Sequence, residues 1–196
     1  MIIFADKNLY QNSLYPDTDW TGTAKWIIPD SNTELCQKAF EYCPYFDVIE
    51  DEEGKVVDII SIEKPISLFI NQKLSELSNA CNTVITSGID VDDKHYSLTI
   101  NDQMNLEGLK NNITGNTTFV PYHADGELCA MYSVEDFLKV YKTASEHKMY
   151  HTTYYNQLKD MINKMIISSE IEACYYGMPL DEEHQNNMNI LLGLGE

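Results

Sequence analysis

The sequence predicts an α+β protein: a small β-rich N-terminal unit, then a domain of β-hairpins packed on helices, one of them long. Three observations predict it. Three pairs of apolar runs flank acidic or Asp-Gly turns, the pattern of hairpins. Helical stretches open on side chains able to cap them. A final stretch starting at Ser133 contains no glycine or proline before Gly177. With 43% hydrophobic residues in a chain of 196, there is enough apolar material for a real core.

Taken in order, "AKWII" reads as a short strand stopped by Pro29. "SNTELCQKAFEYC" follows as a helix with a capping box, Ser31 bonding an amide of the first turn and Glu34 reaching back. "YFDVIEDEEGKVVDIISIE" is the clearest strand signal, a hairpin whose loop of four to five residues contains Gly54. Pro65 marks a boundary, giving expected units of 1–64 and 65–180 and a tail of 181–196. A helix is expected from Ser67 to about Asn82, with Leu68, Leu74, Leu77 and Cys81 inward. "NTVITSGIDVDDKHYSLTI" then reads as a second hairpin turning at Asp92-Asp93. "NDQMNLEGLKNNI" is a short helix capped by Thr99 or Asn101, and "TFVPYHADGELCAMYS" a third hairpin with Asp125-Gly126 as its turn. Ser133 with Asp136 caps the long helix, expected to about Ile167, with a kink allowed near Thr152 where "HTTYY" has weak helix propensity. A helix roughly 50 Å long at 1.5 Å per residue needs cover along its length. The Ser67 helix spans half of it, so a neighbouring subunit is expected for the rest.

Charge excludes several partners. Thirteen basic residues face 31 acidic ones, for a net charge of −18, and every basic residue is lysine. Arginine provides the planar fork that grips phosphate and guanine edges, and an acidic, arginine-free surface repels the nucleic-acid backbone. Neither nucleic acid nor an anionic membrane is an expected partner. No apolar run approaches the roughly 20 residues of a membrane span, and no secretory leader is expected from "MIIFADKNLY". The five cysteines, Cys36, Cys43, Cys81, Cys129 and Cys174, form no CxxC pair and read as free thiols, mostly buried.

Candidate chemistry is thin. His147 and His151 stand four apart in "HKMYH", a spacing that puts both on one helix face and resembles half a zinc signature. Lys148 sits where such a site carries its glutamate base, and His151 falls on the apolar stripe. A third ligand would come from His123, Asp125 or Glu127. The packing reading is preferred over the metal one. "DVDDKHYSLTIN" gathers acids as a calcium loop does, but His95 and Asn101 occupy the positions that need glycine and glutamate. No nucleophile elbow, phosphate loop or dinucleotide fingerprint occurs. No catalytic residue, metal or cofactor is therefore expected. Of the 13 tyrosines, Tyr141, Tyr150, Tyr154 and Tyr155 lie on the long helix, with Tyr122 and Tyr132 on the hairpin before it. Tyrosine suits interfaces, so these six are the interface candidates; an aromatic-rich core explains them equally well.

The succession of a helix, "GIDVDDKHYSLTINDQMNLEGL", "FVPYHADGELCAMYSVEDFLKVY" and "HKMYHTTYYNQLKDMI" resembles a C-terminal domain of bacteriophage tail-region proteins over about residues 67–180. The N-terminal "WIIPDS" and the hairpin before Pro65 are similar to short units of tail-fibre-assembly-like and baseplate-associated proteins. The resemblance implies a non-enzymatic component of a phage tail, at the baseplate or tail-fibre attachment, made in the bacterial host cytoplasm and retained in the virion. Its partners would be other tail proteins and possible self-association. The alternative it leaves is a tail-fibre assembly chaperone that does not stay in the particle.

Overall fold

The computed structural model describes residues 1–10 and 26–194. It is mixed α and β, with small antiparallel sheets and one helix of 30 residues. The chain divides into two compact units, Met1–Pro65 and Ile66–Glu196.

In the first unit, β1 (Ile2–Ile3) lies between β2 (Leu9–Tyr10) and β3 (Trp26–Ile27), both antiparallel to it. Ala24 and Lys25 of the expected first strand lie outside the described residues. Helix α1 (Thr33–Tyr42) is capped by Asn32, whose side chain accepts from the Leu35 amide. The helix thus starts one residue later than the Ser31 box requires, and Glu34 instead lies 3.6 Å from Lys38 one turn on. The hairpin β4 (Phe46–Glu50) and β5 (Val56–Ser61) forms as expected, its loop closed by Gly54 at φ +78°. Met1, Ile3, Trp26, Ile28, Leu35, Ala39, Phe46 and Ile59 form the core.

In the second unit, α2 (Ile66–Ser87) runs five residues past its expected end. The β-branched run "NTVITS" favours a strand by propensity, but Cys81 and Ile85 are buried on this helix. Thr83, Thr86 and Ser87 return their hydroxyls to carbonyls of the preceding turn. Packing overrides propensity. Gly88, at φ +97°, ends the helix and starts β6 (Ile89–Val91), which pairs with β7 (Lys94–Tyr96). Asp92 and Asp93 both take positive φ, as the two-residue turn between them requires.

Thr99 caps α3 (Ile100–Asn111) in a full capping box with Asp102. The third hairpin, β8 (Phe119–Tyr122) and β9 (Ala130–Ser133), turns at Asp125-Gly126 as expected, the Glu127 amide donating to the Ala124 carbonyl across them, but within a wider loop of residues 123–129. Asp125 also bonds sideways: its amide donates to the His95 carbonyl and its carboxylate accepts from the Ser97 amide. That ties the loop to β7.

Ser133 caps α4 (Val134–Asn163), which passes through "HTTYY" without a break. It ends four residues short of Ile167; α5 (Ser168–Ala173) and α6 (Glu182–Leu191) follow. The N-terminal part of α4 sets Phe137, Val140 and Ala144 into a core with both hairpins and Leu106 of α3. Its C-terminal part sets Tyr154, Leu158 and Ile162 into a second core with Leu77, Ile171 and Met188. The unit therefore packs its long helix into two cores of its own. The expected tail at 181–196 is corrected as well, because α6 packs on α4 with His184 and Met188 buried.

Candidate association site

All six tyrosine candidates turn their hydroxyls or rings to partners inside the unit, Tyr150 only its ring, edge-on to His151 at 5.2 Å. Tyr154 is buried, donating to the Met178 carbonyl at 2.7 Å and accepting from the Gly177 amide at 3.0 Å. Tyr155 donates to the Leu74 carbonyl, and Tyr141 to Glu107 at 2.7 Å. Tyr132 exchanges a hydrogen bond with the buried Tyr96. Tyr122 stacks on Tyr96 at 6.0 Å and meets Phe137 edge-on at 5.6 Å. Tyr150 alone of the six is well exposed, at 47%.

The histidine pair is also engaged. Its rings meet edge to face with centroids 4.6 Å apart. His147 Nε2 donates to the Val84 carbonyl, and His151 Nδ1 lies 3.0 Å from the Tyr176 hydroxyl. Burial, then His147, lowers the pKa of His151, which favours the neutral form of that ring. The other expected ligands lie apart from it, Glu127 on Lys94 and Asp125 on Ser97. Among the described residues no group of three or more His, Cys, Asp or Glu could hold a metal ion.

The surface that stands out lies on α3 and the third hairpin. Leu106 of α3 faces the core, while Ile100 and Met104 project outward, 73% and 68% exposed. Across from them, Pro121 pairs with Met131 and Phe119 with Ser133, putting Phe119, Pro121 and Met131 on the outer face of the hairpin. Leu128, in the loop, is 92% exposed. Between helix and hairpin opens a cavity of about 390 Å³. Tyr96 and Tyr122 form its floor, Met104, Asn105 and Gly108 one wall, and His123, Asp125 and Cys129 the other.

Its electrostatics are acidic. The Ser97 hydroxyl and amide hold the Asp125 carboxyl below the usual range. Burial, and then the nearby Asp102 and Asp125 carboxylates, push the Tyr122 hydroxyl up to about 12. Among the described residues that hydroxyl has no hydrogen-bond partner, and no lysine lines the cavity. Asp102 spends Oδ2 on its cap, and its Oδ1 has no hydrogen-bond partner among the described residues. Sequence reasoning missed this surface because it followed tyrosines. The available signal was Ile100 and Met104, four apart on the face of the short helix opposite Leu106.

Fold and surface together define a helix-and-hairpin domain with its long helix packed into two cores and an apolar face left open. Residues 70–174 match DUF4376, a domain of unknown function, and the chain belongs to that family. No curated protein and no solved structure matches the chain. Among the described residues no helix is long and apolar enough to cross a membrane.

Proposed function

We propose that the protein is a non-enzymatic structural component of a bacteriophage tail, at the baseplate or tail-fibre attachment, acting by protein–protein association. The observation that carries association is the open apolar face: Ile100, Met104, Phe119, Leu128 and Met131 are each more than half exposed. Apolar surface left open on a chain of charge −18 is what a docking face looks like, since the charge keeps the rest of the surface in water. The tail context rests on the resemblance over residues 67–180, the stretch within which the family match falls.

The test is mass spectrometry of purified virions from the phage that encodes the chain. Stoichiometric copies, cross-linked to a tail protein through residues of α3 or the third hairpin, support the reading. Particles free of the chain overturn it. Fibre misfolding on deletion of the gene would then point to the assembly chaperone.

A further inference from the structure

The open face has a chemical polarity that narrows its partner. Its apolar residues border an acidic, tyrosine-floored cavity. Asp102 and Asp125 line that cavity together with Tyr122, whose hydroxyl has no hydrogen-bond partner among the described residues. The neighbouring lysines are committed elsewhere. Lys94 pairs with Glu127, Lys139 with Asp92, and Lys110 sits over the Tyr141 ring. On the other side of α3, the wider depression shared with Ile100 and Glu107 carries Lys148. That depression balances Glu107 against Lys148, whereas the hairpin-side cavity sets two carboxylates against His123 and no lysine.

Resting on the association reading above, we infer that this face docks a basic, amphipathic segment of another protein. Its apolar side chains would cover Ile100, Met104 and Met131, and an arginine or lysine would enter the cavity beside Asp102, Asp125 and Tyr122. A guanidinium or ammonium there gains two carboxylates and an aromatic floor. A second copy of this chain is disfavoured as the occupant. It contains no arginine and carries the same charge of −18, so a like-with-like contact sets acidic face against acidic face.

Gly108 gives a test that spares the fold. It lines both depressions, sits in α3 at ordinary helical φ, and a Cβ built there meets nothing within 4 Å. Gly108→Met removes a helix-interior glycine, so melting should be unchanged or raised, while its side chain fills the cavity mouth. The probes are a short blocked peptide alternating arginine and leucine, and its counterpart with glutamate for arginine. Both are titrated into isotopically labelled full-length protein and followed by amide shifts. We expect the arginine peptide to shift amides in residues 96–129, to bind Gly108→Met at least about tenfold more weakly, and to weaken with added salt. The glutamate peptide should not bind.

Shifts scattered over the whole surface, or equal affinity for Gly108→Met, overturn the inference. So does self-association in sedimentation that Gly108→Met abolishes, because the occupant is then a second copy. None of these outcomes bears on whether the chain is in the virion, so the two readings fail separately.

Discussion

His184 Nε2 lies 3.0 Å from Asp160 Oδ2, joining the first turn of α6 to the last turns of α4. Its other nitrogen, Nδ1, lies 2.7 Å from Asp181 Oδ1, and the ring is 2% exposed. Both acceptors are carboxylates, so the geometry suits a ring that carries protons on both nitrogens, the imidazolium form. Lysine adds a third party: Lys164 lies 3.0 Å from Asp160.

A pH dependence follows from that contact. Burial alone would lower the pKa of His184, but hydrogen bonds to Asp181 and then Asp160 outweigh it and raise the value, with Lys164 opposing. A raised folded-state pKa gives stability that is full below the unfolded value of about 6.5 and lost as pH rises through the folded one. Asp160 is depressed by Lys164 and then His184, and Asp181 by the His184 amide and then its ring. Their contribution is present above about pH 4 and lost on acidification. The contact is therefore strongest between about pH 4 and 6.5. His95 adds the same slope as His184, its pKa raised by Asp90 and the Ser87 carbonyl, whereas His151, lowered by burial, has the opposite slope. His184→Gln is expected to lose roughly 2 kcal/mol at pH 6 and to flatten the decline in urea midpoint between pH 6.5 and 8.5. Parallel pH profiles for variant and parent would exclude the charged contact.

Gly88 cannot be replaced. An ideal Cβ there would stand 2.2 Å from the Tyr96 carbonyl oxygen and 2.8 Å from the Ser97 Cα, both backbone atoms. Its φ of +97° is strained for any other residue. Gly88→Ala is expected to cost roughly 3 kcal/mol or more, seen as loss of a cooperative unfolding transition or as insoluble protein. Gly115→Ala is the control, since a Cβ there meets nothing within 4 Å. Equal melting temperatures for the two variants would show that the β6–β7 pair does not press on the helix end.

What the sequence made legible was local chemistry. The Asp92-Asp93 turn, the Thr99 cap, the Ser133 cap and the Gly54 loop each depend on a few adjacent side chains, and each was readable. Misreadings came where a distant partner decides. "NTVITS" is helical because its apolar residues meet α4. The loop around Asp125 is wider than a two-residue turn, with the Asp125 carboxylate bonded to Ser97, and the last residues are no tail because Asp160 holds His184. The tyrosines misled for a related reason. A tyrosine's role depends on where its hydroxyl finds an acceptor, and for Tyr141, Tyr154 and Tyr155 that acceptor lies 24 to 81 residues away.

Thiol reactivity should divide the cysteines two and three. Cys43 and Cys129 are exposed, whereas Cys36, Cys81 and Cys174 are buried. Burial also pushes the Cys174 thiol up, which lowers its thiolate fraction, and its Sγ–H donates to the Glu170 carbonyl. A chromogenic disulfide reagent on the native protein is expected to titrate two thiols quickly and the rest only on unfolding. Fast reaction of Cys81 would mean that α2 separates from α4, because that thiol donates to the His151 carbonyl. Assigning the sites by peptide mapping distinguishes that case from general unfolding.

Tyr150 and Tyr154 provide the sharpest contrast on one helix. Both were read as interface candidates, yet their hydroxyls live in different surroundings. The Tyr154 hydroxyl bridges the Met178 carbonyl and the Gly177 amide, closing the segment between α5 and α6 over the C-terminal core. Tyr154→Phe leaves that donor and that acceptor without their partner, and should cost roughly 1–3 kcal/mol. Tyr150 is 47% exposed, so Tyr150→Phe should change stability by less than about 0.5 kcal/mol. Urea unfolding at a fixed pH compares them directly. If the two variants unfold at the same midpoint, the loop after α5 is not held by Tyr154, and the packing of α6 must rest on its other contacts, among them Met188, Leu192, the His184 contact and the Lys164–Glu183 pair.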